Sequence, residues 1–131
     1  MRRLPIRLTL PLVFIVAGCT SGLKRPVASV ELSPNDRGIQ RVVVNMHSYY
    51  FEPNRITVHA DHPVELVLEN RAKLIPHSFT IAAPSLSVNE GAWLRTGHVR
   101  FTPRTPGSYT FFCHVDHHAA KGMTGTLVVV P

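Results

Sequence analysis

The sequence predicts an all-β fold, an antiparallel Greek-key β-sandwich of about seven to eight strands. From Arg41 onward, β-branched and aromatic residues gather in short runs separated by Pro, Gly and Asn, the pattern of strands joined by turns. Over the same stretch no segment keeps apolar residues at helical spacing for three turns. With 131 residues, 44% of them apolar, the chain has room for one core and little else. Many short strands closely spaced around one core are the pattern of a sandwich.

Taken in order, the chain begins with residues 1–18, which read as a signal peptide. Arg2, Arg3 and Arg7 lead into the apolar run Leu8 to Ala17, well short of the roughly 20 residues that span a bilayer. It ends Val16-Ala17-Gly18-Cys19, which resembles a bacterial lipobox, so Cys19 is expected to carry the lipid. That places the mature protein in the periplasm or on the cell surface, anchored to a membrane. Residues 19–40 are punctuated by Ser, Pro, Asn and Gly and are expected to form a flexible tether. The folded domain is expected over 41–131. Its strands are Val42 to Val44, Arg55 to His59, Val64 to Leu68, Ser78 to Ile81, Val99 to Phe101, Ser108 to Phe112 and Thr126 to Val130.

Charge narrows the partners. The formal +6 includes three arginines of the signal, leaving +3 for the mature chain, without a basic cluster interleaved with aromatics. Nucleic acid is therefore not an expected partner. Lys24 and Arg25 sit beside the lipid anchor, where anionic lipid would attract them. Only two cysteines are present, and lipidation of Cys19 leaves Cys113 as a lone thiol with no disulfide to form. In an oxidising compartment such a thiol is at risk unless something ligates it.

The chain around Cys113 supplies that chemistry. Directly after an aromatic strand come Cys113, His114, His117, His118 and Met123: a thiolate, three imidazoles and a thioether. A cysteine sulfur, two histidine nitrogens and a weak axial methionine make the trigonal set that suits copper cycling between Cu(II) and Cu(I). A further imidazole is available in Pro76-His77-Ser78-Phe79.

These two motifs, with Tyr50 to Val58 and Val64 to Asn70 before them and Pro106-Gly107-Ser108-Tyr109 and Gly122 to Leu127 around the loop, resemble the cupredoxins. This is the blue-copper family of plastocyanin and azurin, here in the form of a small bacterial single-domain lipoprotein. The resemblance implies one type 1 copper held by His77, Cys113, His118 and axial Met123, spaced Cys-x4-His-x4-Met. Two departures stand out: Ser78 replaces the usual Asn, and Asp116-His117 replaces the usual Pro-Gly. Amides and hydroxyls beside metal ligands tune a site nearly as much as the ligands do.

The function expected is electron carriage between a redox protein donor and acceptor, for example a cytochrome or an oxidase, by a monomer that is not itself an enzyme. Copper delivery, storage or resistance is the alternative. No His-x-His pair exists to build a trinuclear copper cluster, and one thiol cannot bridge a binuclear centre. Zn(II) accepts the same donors in a tetrahedral set. A cysteine-nucleophile enzyme using Cys113 with a neighbouring histidine leaves the Met123 spacing unexplained. His47, His59, His62 and His98 lack a donor partner at ligand spacing and are expected to be structural or solvent-facing.

Overall fold

The computed structural model describes residues 25–93 and 95–131, so the signal peptide and Cys19 lie outside the described residues. Ten strands make two facing sheets: β1 (Ser29–Glu31), β2 (Gln40–His47), β3 (Tyr50–Glu52), β4 (Arg55–His59), β5 (Val64–Asn70), β6 (His77–Ala83), β7 (Leu86–Ala92), β8 (Thr96–Phe101), β9 (Gly107–Phe112) and β10 (Thr124–Val130). One sheet runs β1-β4-β10-β9-β6-β7 and the other β3-β2-β5-β8. The non-sequential neighbours are the crossovers between sheets that an all-β sandwich requires.

Three features differ from the expectation. The sheets are mixed, because β4 lies parallel to both β1 and β10, and β2 parallel to β5. Alternation of apolar and polar residues reports which face is buried, and says nothing of a neighbour's direction. Strands β1, β3 and β7 join the seven expected. They are short or rich in Ser, Gly and Glu, so they read as loop by composition. The folded unit also begins before residue 41. Asn54 clasps Ala28 from both sides, accepting from its N–H through Oδ1 and donating its own N–H to the Ala28 carbonyl, both at 3.0 Å. Any tether therefore ends ahead of residue 28.

The core fills from alternate positions. In β5 the pattern Val64, Leu66, Leu68 points inward, and β4 contributes Ile56 and Val58. At its centre Phe51, Phe79 and Phe111 pack ring to ring, with centroids 4.7 to 5.9 Å apart. Each such pair adds about 0.5–1.5 kcal/mol beyond the area it buries. Phe111 is wholly buried and Phe112 only half-buried, as expected for neighbours on opposite faces of a strand. The aromatic cluster thus holds β6 and β9 together just below the ends from which His77 and Cys113 emerge.

Candidate metal centre

The register of β6 against β9 sets the site. Thr80 pairs with Phe112 and Ile81 with Phe111, so the start of β6 and the end of β9 lie side by side. His77 opens β6, and Cys113 follows the last residue of β9. The loop from His114 to Gly122 then folds back over itself. The His118 N–H donates to Val115 at 2.9 Å, and the Lys121 and Met123 N–H groups both donate to the His118 carbonyl at 3.0 and 3.1 Å. The Cys113 N–H donates to the Met123 carbonyl at 3.1 Å, closing the loop at its base.

This brings His77, Cys113 and His118 into one buried cluster, with potential donor atoms all within 4.8 Å of one another. Cys113 Sγ lies 3.4 Å from His118 Nδ1 and 3.9 Å from His77 Nδ1. Met123 is fully buried, and its carbonyl accepts the Cys113 N–H, which sets the residue beside the cluster. The far nitrogen of His77, Nε2, is buried without a hydrogen-bond partner. An unmet polar group of that kind costs about 1–3 kcal/mol, a cost no hydrogen bond in the structure compensates.

Both imidazoles are held neutral. Burial, and secondarily the charge of His118, pushes the His77 pKa down to about 4. His118 is also pushed below its ordinary value, mainly by burial, then by the Lys121 ammonium, with the Asp116 carboxylate opposing. Neutral nitrogens and a thiol in contact suit a soft or borderline metal ion.

His114 and His117 stay outside the cluster. His117 is exposed, and with Asp116 it occupies the left-handed region, at φ 55° and 34°. The two remain where the usual Pro-Gly stands, and His117 takes the backbone shape that a glycine adopts freely. The other histidines are occupied elsewhere or face solvent. His47 stacks on Tyr50 at 4.4 Å, His59 Nδ1 lies 3.1 Å from the Pro131 carbonyl, His62 Nδ1 is 3.3 Å from that of Gly38, and His98 is exposed.

Two supporting residues escaped the sequence reading. Asn70 Nδ2 lies 2.8 to 3.1 Å from the carbonyls of Ile75, Ala92 and Trp93, which share its two N–H donors, while its Oδ1 accepts from the Ala72 N–H at 2.9 Å. It braces the loop that delivers His77, and the turn-forming Asn70-Arg71-Ala72 is the signal that marks it. Tyr49 sits edge-on to the His118 ring at 4.9 Å, from a backbone at φ 67° that a bulky side chain rarely adopts. No sequence pattern announces that contact.

Comparison with known proteins agrees with this geometry. The family model of the cupredoxin-like domain matches residues 10–129. Among solved structures, auracyanin A, a blue copper protein of Chloroflexus aurantiacus, superimposes with TM-score 0.60 at 18% identity, over 71% of this chain and all of that one. Rusticyanin of Thiobacillus ferrooxidans gives TM-score 0.59 at 24% identity, over 82% of this chain and 85% of its own. The metal-binding domain of a Cu(I)-exporting P-type ATPase from Streptococcus pneumoniae, solved with Cu(I), gives 0.60 at 19%, over 82% and 100%. These likenesses carry the fold. A search of curated protein sequences returned no match. With the family model spanning nearly the whole chain and the sandwich closing over a buried His-Cys-His cluster, the chain belongs to the cupredoxin-like domain family.

Proposed function

We propose that the protein is an extracytoplasmic electron carrier whose buried cluster holds one type 1 copper ion. His77, Cys113 and His118 would hold the ion, with Met123 offering a weaker thioether donor. The observation that carries this reading is the buried triad with its two Nδ1 atoms turned toward one sulfur. When bound, copper supplies a one-electron couple. The chain's part is to hold the donors still: a β-sandwich end and a loop closed by its own hydrogen bonds change little between oxidation states, so reorganisation is small. Burial keeps water from the sulfur, and neutral imidazoles need shed no proton before binding a metal. Redox proteins would serve as donor and acceptor, with the protein acting as a monomer held to its membrane by lipid on Cys19.

Copper delivery or storage is the second reading. The same fold serves a Cu(I)-binding domain in the Streptococcus exporter. Against it, the donor set here includes a thiolate and two imidazoles built into the sandwich end, where a cargo ion would be hard to release.

The deciding experiment adds Cu(II) to the protein and records the visible spectrum. An intense thiolate-to-copper band is expected, absent from Cys113→Ser and His77→Ala, with a reversible one-electron wave in voltammetry. A colourless tetragonal Cu(II) spectrum from folded protein would sink the blue-copper assignment. Rapid loss of the metal to an acceptor protein, without a reversible wave, would favour delivery.

A further inference from the structure

Continuing the β6–β9 register two residues past Phe112 sets His114 opposite Ser78, and the contacts follow that placement. The His114 N–H donates to Ser78 Oγ at 2.9 Å. His114 Nδ1 lies 3.0 Å from Ser78 Oγ and 2.9 Å from Thr80 Oγ1. Thr80 Oγ1 in turn donates to Asn89 Oδ1 at 3.2 Å, across the β6–β7 pair that joins these two residues. Ser78 also faces the sulfur twice: its N–H lies 3.4 Å from Cys113 Sγ, and its hydroxyl 3.7 Å. Ser78 is buried, and Thr80 is 9% exposed.

Counting protons decides which way these groups point. Each hydroxyl has one proton to give. Asn89 Oδ1 only accepts, so the Thr80 proton goes to Asn89, and Thr80 Oγ1 faces His114 as an acceptor. His114 must then carry its proton on Nδ1. A nitrogen that donates cannot take the Ser78 proton, so that proton is left for Cys113 Sγ. We infer that His114 is a positioning residue: with Thr80 and Asn89 it fixes the direction of the Ser78 hydroxyl and so sets a second hydrogen bond on the metal-binding thiolate.

The inference rests on the copper reading for its consequence. A hydrogen bond to sulfur draws charge away from the thiolate, weakens its donation to Cu(II) more than to Cu(I), and so raises the reduction potential. Thr80→Val keeps the side-chain shape but removes the accepting oxygen. His114 Nδ1 is then free to accept from Ser78, and the sulfur loses one hydrogen bond.

The test has two arms. In the metal-free protein, nitrogen NMR of neutral His114 reports the tautomer directly. Protonated Nδ1 is expected in the wild type, and a shift toward protonated Nε2 in Thr80→Val. In the Cu-loaded protein, voltammetry should show a lower potential in Thr80→Val and a shifted charge-transfer band. Thr80→Ser, which restores the hydroxyl, should match the wild type. In a Ser78→Ala background Thr80→Val should have no further effect, since no hydroxyl proton remains to redirect. An Nε2-protonated His114 in the wild type, or a Thr80→Val effect on the potential of equal size in both backgrounds, would overturn the relay. The absence of any blue band in wild type would instead remove the copper reading, with the tautomer result standing or falling by itself.

Discussion

At the scale of single residues, two adjacent histidines have opposite fates because of backbone shape. His118 is buried, its Nδ1 facing the sulfur at 3.4 Å, while His117 is exposed at φ 55°. Side chains with a Cβ lose about 1–2 kcal/mol in the left-handed region, and glycine gives back part of that gain through its greater freedom when unfolded, about 0.5–1 kcal/mol. His117→Gly is therefore expected to leave the blue band intact and stability unchanged or raised by up to ~1 kcal/mol. His118→Gly should bleach the protein. Visible spectra and denaturant titrations of the two variants decide it, and a colourless His117→Gly with a blue His118→Gly would move the ligand by one position. The loop that brings Cys113 and His118 together was legible in the sequence because donor residues crowd around a lone cysteine, whereas His77, which joins them in the cluster, entered through the family resemblance. The roles of His114 and Tyr49 were not legible. Each depends on a contact across strands or turns, and no local pattern encodes which hydroxyl or ring lies opposite.

Among the elements, β9 and β10 meet with no room for a side chain at Gly125. Gly125 lies opposite Phe111 in that ladder. A Cβ built on Gly125 would sit 2.2 Å from the Phe111 ring and 2.7 Å from the Asn54 carbonyl, so the ring occupies the space a side chain would fill. Gly125→Ala must displace Phe111, which anchors the aromatic cluster two residues before Cys113. A loss of about 1–3 kcal/mol is expected, measured by denaturant unfolding, and a much smaller loss in a Phe111→Leu background because the two sites share one space. Equal losses in both backgrounds would show that the ring is not what excludes the side chain. Strand composition also explains what the sequence made visible here. Runs such as Val64 to Leu68 advertise themselves by alternation. Leu86–Ala92 and Ser29–Glu31 do not, because Ser, Asn, Gly and Glu take strand form only when a neighbour's ladder supplies their hydrogen bonds.

For the whole molecule, the site links folding to pH. The His77 imidazole titrates near 4 when folded, and His118 is lowered as well, whereas a histidine in the unfolded chain titrates near 6.5. Between those values the unfolded chain binds more protons than the native one, so stability rises with pH in that window. The contribution is fully present above about pH 6.5, declines as acid is added, and stops changing for His77 once the native ring itself protonates near pH 4. For His77 alone the swing is about 3 kcal/mol. Protonated carboxylates also weaken folds in acid, so the measurement compares the metal-free wild type with His77→Gln, which leaves every carboxylate in place. Denaturant midpoints taken at pH 7, 5.5 and 4.5 should fall more steeply for the wild type than for the variant. Copper bound to the same nitrogens excludes protons from them and should move the wild-type decline to lower pH. Parallel curves for wild type and His77→Gln would mean that the buried ring does not couple the metal site to folding, even though it lies at the closed end of the sandwich.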